Sequence, residues 1–141
     1  MSRHLLGRVL VPVANEEDAR ETFTALLRYL EDGTKLHVVH VIEKADGAPD
    51  KAPLAARRAQ ATEIFSFADR FLGETAELET ELRYGTSVVD EIVAAAEESD
   101  ATAILFVPRA SGRLPRLLTW DKTRQLVATD RVPVVVLPRD S

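Results

Sequence analysis

The sequence predicts one α/β domain built on a five-stranded, parallel, doubly wound sheet over residues 1–141. Three observations predict it. Short β-branched apolar runs alternate with longer segments of helical periodicity, in the order βαβαβαβαβ. The intervening helices are long enough for right-handed crossovers, which put helices on both faces of a parallel sheet. Apolar residues make up 45% of the chain and charged residues 29%, the balance of a soluble domain with a core of its own.

The first strand is read at Val9–Val13, between Gly7 and Asn15, with Pro12 expected at its end because proline cannot donate to a ladder. Asn15 is a predicted N-cap, and Glu16, Glu17 and Asp18 suit the positive end of a helix dipole. Phe23, Leu26, Leu27 and Leu30 recur at i, i+3, i+4 and i+7, so they predict one helical face, stopped by Asp32-Gly33. A second buried strand follows at Leu36–Ile42, then a loop from Glu43 to Pro53 marked by Gly47, Pro49 and Pro53. A second helix is expected from Leu54 to Leu72, with Ile64, Phe67, Ala68 and Phe71 facing the core and Gly73 ending it.

Glu77–Tyr84 alternates charged residues with Leu78, Thr80, Leu82 and Tyr84. A period of two predicts an edge strand with one wet face. Gly85-Thr86-Ser87 reads as a turn and cap before a third helix that uses Val89, Ile92, Val93 and Ala96. Ala101–Val107 is a fully buried strand, Arg109–Pro115 a basic loop, Leu118–Ala128 a fourth helix, and Val132–Leu137 the last strand. Ligands of doubly wound folds sit beyond the carboxyl ends of the strands. Here those ends are Pro12–Glu16, Val41–Lys44, Gly85–Ser87 and Pro108–Lys122.

Composition excludes several classes. With no cysteine, disulfides, thiolate metal sites and a thiol nucleophile are ruled out. A formal charge of −5 works against a nucleic-acid surface. No apolar run approaches the roughly 20 residues that span a bilayer, and the N-terminal apolar stretch is too short for a signal peptide, so a cytoplasmic protein without membrane contact is expected. Gly-x-Ser-x-Gly, Gly-x-Gly-x-x-Gly and Walker A motifs are all missing, so no catalytic residue is assigned and an enzyme is not expected. His37 and His40 are three apart on a strand and point to opposite faces, so they do not chelate one metal, and no metal site is predicted. His40 reads as a hydrogen-bonded residue near the sheet edge.

Arg8-Val-Leu-Val-Pro-Val13, His40-Val-Ile42, Tyr84-Gly85, the group Ile92, Val93, Ala96, Asp100 and Ile104, and Arg131-Val-Pro-Val-Val-Val136 stand in an order and spacing that resembles the universal stress protein (UspA) family. The resemblance covers nearly the whole chain. It implies an adenine-nucleotide-hydrolase-like, flavodoxin-like strand order of 3-2-1-4-5, and it implies that Pro12 and Val41 match residues packing around a nucleotide base. One branch of the family binds ATP through Gly-x2-Gly-x9-Gly-Ser/Thr after the fourth strand, where backbone N–H groups cradle phosphates. The matching positions here are Pro108, Ser111, Asp121 and Lys122, and all four depart from the pattern. A one-residue shift gives Arg109, Gly112, Lys122 and Thr123, which recovers one glycine and the hydroxyl and adds two cations. Ala14 stands where the nucleotide binders carry an aspartate.

The resemblance and its departures predict a stress-related regulatory or protein-interaction module that needs no cofactor and does not hold ATP in the family manner. The alternative is a module for ATP or another phosphorylated, anionic ligand, held by the atypical basic loop. Arg109, Arg113, Arg116, Lys122 and Arg124 form that basic run beside Trp120, which either covers the core edge or stacks on a ligand. The apolar strand Val132–Leu137, if it lies at the sheet edge, invites antiparallel pairing with a second copy in a homodimer; an unknown protein partner is a further expectation.

Overall fold

A computed structural model describes residues 4–44, 54–108 and 120–138. Its elements are β1 (Arg8–Pro12), α1 (Glu16–Leu26), β2 (Lys35–Glu43), α2 (Leu54–Leu72), β3 (Glu77–Gly85), α3 (Val88–Glu98), β4 (Ala103–Phe106), α4 (Trp120–Val127) and β5 (Val134–Val136). The strands form one sheet in the order β3-β2-β1-β4-β5, every pairing parallel. The order and class are those expected from the sequence. The predicted loops at 45–53 and 109–115, and the first two residues of the predicted fourth helix, lie outside the described residues.

Alternation along the central strands divides the core in two. Val9 and Val11 of β1, Leu36 and Val38 of β2, and Leu105 of β4 face α1 and α2, which bring Phe23, Leu26, Ile64, Phe67 and Ala68. Leu10, Val39, Val41, Ile104 and Phe106 face the other way, against Val89, Ile92, Val93 and Ala96 of α3 and Leu126 of α4. Phe23, Phe67 and Phe71 form an aromatic cluster with centroids 5.5–6.1 Å apart. Full burial of a side chain such as Phe23 contributes about 2–3 kcal/mol.

Four expectations need correction. Helix α1 stops at Leu26, short of the predicted Asp32-Gly33 boundary. Beyond it the chain tightens into i→i−3 bonds, Arg28 N to Ala25 O and Tyr29 N to Leu26 O. That tightening turns Leu27 outward, 39% exposed, while Leu30 still packs on the core. Gly33 nevertheless has the positive φ, +87°, expected of a stop residue. Glu43 is the last residue of β2 rather than the start of a loop, because its register partner is Gly85. Strand β5 is shorter than predicted at three residues. The fourth correction concerns β3: its charged face is not wet along its whole length, since Glu81 and Arg83 are partly covered.

Candidate functional site

The carboxyl ends of the strands open into a cleft of roughly 720 Å³. Its walls come from the start of α1 (Ala14–Glu17), the end of β2 (His40–Glu43), the first turns of α2 (Arg57, Gln60, Glu63), Val88 and Lys122.

Local sequence explains why each wall stands where it does. Asn15 caps α1, accepting the Asp18 N–H on Oδ1 at 2.8 Å, and Asp18 Oδ2 accepts the Ala14 N–H at 2.8 Å. This reciprocal pair satisfies one amide that the first turn of α1 leaves open and the Ala14 amide just ahead of the cap, and Glu16 and Glu17 line the cleft. His40 is buried on β2, and its Nδ1–H donates to Val13 O at 2.8 Å, pinning the end of β1 to β2. Burial pushes its pKa down, partly opposed by that hydrogen bond, so the ring is neutral at pH 7. It is thus hydrogen-bonded and one strand in from the edge, as its position suggested.

Glu43 joins the cleft's two cations. Its carbonyl accepts from Arg57 Nη1 at 3.0 Å, and its carboxylate accepts from Lys122 Nζ at 2.9 Å. Glu16, Glu17 and Glu63 line the same space, so the described walls carry four carboxylates and two cations. This donor set suits a polyphosphate poorly, because carboxylates repel its charge and the cations are already engaged. Among the described residues, no group of three His, Asp or Glu is placed to hold a metal ion.

The sequence-predicted residues divide. Val41 and Lys122 line the cleft. Thr123 is buried and Pro12 is buried at the end of β1, and neither is among the lining residues. Arg109 and Gly112 lie outside the described residues, as do Arg113, Arg116 and the Trp120 side chain. Sequence reasoning singled out the windows containing Glu16 and Glu43 but missed Arg57, Gln60 and Glu63. The available signal was the polar three-residue spacing of these positions along α2, next to Ile64.

A second charged cluster lies under α3. Arg83 reaches Glu81 at 2.6 Å, Glu98 at 2.8 Å and Glu91 at 3.0 Å, and His37 reaches Glu81 at 2.7 Å and Glu79 at 3.4 Å. Burial opposes charge on Glu81, but hydrogen bonds from His37 and Arg83 outweigh it and hold the carboxyl below its usual range. Burial likewise opposes charge on Arg83, and its three glutamates outweigh that and raise its pKa. Gly85 belongs to this packing: a Cβ there would stand 2.5 Å from Glu91 Cγ.

Comparison with the curated proteins finds no match. Among solved structures, a universal stress protein from Archaeoglobus fulgidus is 26% identical, with 92% of each chain covered and a TM-score of 0.64. UspA from Lactobacillus plantarum is 20% identical over 98% of this chain and 100% of its own, at 0.68. The universal stress protein from A. fulgidus in complex with dAMP is 21% identical over 95% and 99%, at 0.63. The model of the universal stress protein family matches residues 6–138. The chain therefore belongs to the universal stress protein family.

Proposed function

We propose that this universal stress protein is a cytoplasmic, homodimeric regulatory or protein-interaction module that does not hold ATP in the manner of the glycine-loop members. The observation that carries the reading is the charge of the cleft. Both described cations are engaged by Glu43, while Glu16, Glu17 and Glu63 face the same space. Ala14 at the end of β1 offers no carboxylate to a base or ribose. No helix among the described residues is long and apolar enough to cross a membrane.

The dimer is supported by the sheet edge. Strand β5 has no neighbour on its outer side among the described residues, and Val136 is 44% exposed. Its edge lacks the charges that protect β3. An antiparallel pair of β5 strands about a two-fold axis would cover it.

The second reading, an anionic ligand held through Arg109, Gly112, Lys122 and Thr123, is supported by Lys122 on the cleft wall and by the complex of a similar protein with dAMP. Denaturing the purified protein and identifying released small molecules by mass separates the two, with light scattering of the native sample for the dimer. The first reading expects no nucleotide and twice the chain mass. Stoichiometric adenine nucleotide would overturn it in favour of the second, and a monomer at micromolar concentration would remove the β5 dimer.

A further inference from the structure

We propose that Glu43 is a charge lock on the cleft, setting how much negative charge a ligand can bring. The inference rests on the proposed function and names the residue that keeps polyphosphates out.

Glu43 is fixed by its backbone. It ends β2 opposite Gly85, and the next amide, Lys44 N–H, donates to Gly85 O at 2.8 Å. From this position it meets cations from both faces of the sheet: Arg57 of α2 on its carbonyl and Lys122 of α4 on its carboxylate. In the sheet, β1 lies between β2 and β4. The Glu43–Lys122 bridge lines the same cleft as Ala14, which follows β1, at the carboxyl ends of the strands where ligands of doubly wound folds sit.

Lys122 stands in the first turn of α4, the end of a helix that attracts anions. A phosphate pairing with Lys122 finds the Glu43 carboxylate already there, 2.9 Å from Nζ. It must displace that carboxylate from Lys122 and then lie beside it. The bridge itself is half-exposed, with side chains 28% and 47% accessible, so it is cheap to break. The discrimination comes from the like charge left a few ångströms from the phosphate. In a half-exposed site that is worth on the order of tenfold in affinity for each close charge pair. An uncharged ligand meets no such barrier.

The test is calorimetry with ATP and adenosine on the unmodified protein, Glu43→Gln, and Glu43→Gln combined with Lys122→Ala. Glutamine keeps the size of the side chain and the carbonyl bond to Arg57, so the fold is retained and circular dichroism confirms it. The lock predicts that Glu43→Gln binds ATP at least about tenfold more tightly than the unmodified protein, that adenosine affinity moves less than twofold, and that Lys122→Ala reverses the gain. Equal ATP affinity with and without Glu43, no detectable ATP binding by Glu43→Gln, an equal gain for adenosine, or a gain that survives loss of Lys122 would each overturn it. These failures leave the proposed function standing. Micromolar ATP binding by the unmodified protein would overturn the proposed function, while the ratio between the two proteins would still decide the lock.

Discussion

Two clusters of glutamate sit beside β2, one under α3 and one at the carboxyl ends of the strands, and they have different fates. Under α3, Glu79, Glu81, Glu91 and Glu98 each have a partner within 3.4 Å on Arg83 or His37. In the cleft only Glu43 of the four carboxylates is bridged, and Glu16, Glu17 and Glu63 face open space. Both clusters contain the same residue type in similar number. The difference is satisfaction: the first consumes its charges internally and stabilises an edge strand, while the second presents its charges to whatever enters. Net charge alone would have ranked them equal; the hydrogen bonds separate structure from site.

The largest effect expected from this contrast is at Arg83. Replacing it with Met leaves Glu81, Glu91 and Glu98 crowded without their cation, in a site where the arginine is only 16% accessible. Urea unfolding should show a loss of about 2–3 kcal/mol. A loss below about 0.5 kcal/mol would make the network no more than a surface feature.

Gly85→Ala tests the same packing from the other side. Its Cβ would displace Glu91 from Arg83, so a loss of about 1–2 kcal/mol is expected in the same assay. In the Arg83→Met background that loss should shrink, since the bond that Gly85 protects is already gone.

Acidification separates two stages. The His40 pKa is depressed in the folded state, so the unfolded chain takes up its proton first, and stability starts to fall as pH drops below about 6.5. The Glu81 pKa is also depressed, so its contribution is complete above about 4.5 and is lost as pH falls through the folded value. His40→Gln should flatten the upper stage and Glu81→Gln the lower one in pH-dependent unfolding. An unchanged upper stage in His40→Gln would show that another group titrates there.

The smallest effect is expected in the cleft. Glu63→Gln should change stability by less than about 0.5 kcal/mol, because the carboxylate is exposed and makes no bond that would be lost. A loss of 1 kcal/mol or more would mean that the cleft cluster is structural like the first, and the contrast would fail.

Much of this fold was legible because apolar periodicity reports burial directly. The runs at Val9, Leu36 and Ile104 are buried on both faces, as strands of a parallel sheet covered by helices are. Asn15 and Ser87 were legible as caps because a short polar side chain before an apolar face has few other roles. The end of α1 was not legible, because Leu27 and Leu30 keep the helical spacing through a turn that is no longer α-helical. Nor was the Arg83 network. Its partners Glu91 and Glu98 come from α3, and sequence alternation on β3 cannot tell a wet face from one covered by a distant helix. At the cleft, strand ends pointed to Val41 and Glu43, whereas Arg57 and Glu63 arrive through the packing of α2 on the sheet.

The most direct test of the central claim is a calorimetric titration of the unmodified protein with ATP, with and without Mg2+. The acidic cleft predicts no measurable heat of binding at ligand concentrations up to about a hundred micromolar. A clear isotherm with one site per chain and micromolar affinity would contradict it, and would mean that the residues after β4 supply enough positive charge to overcome Glu43 and its neighbours.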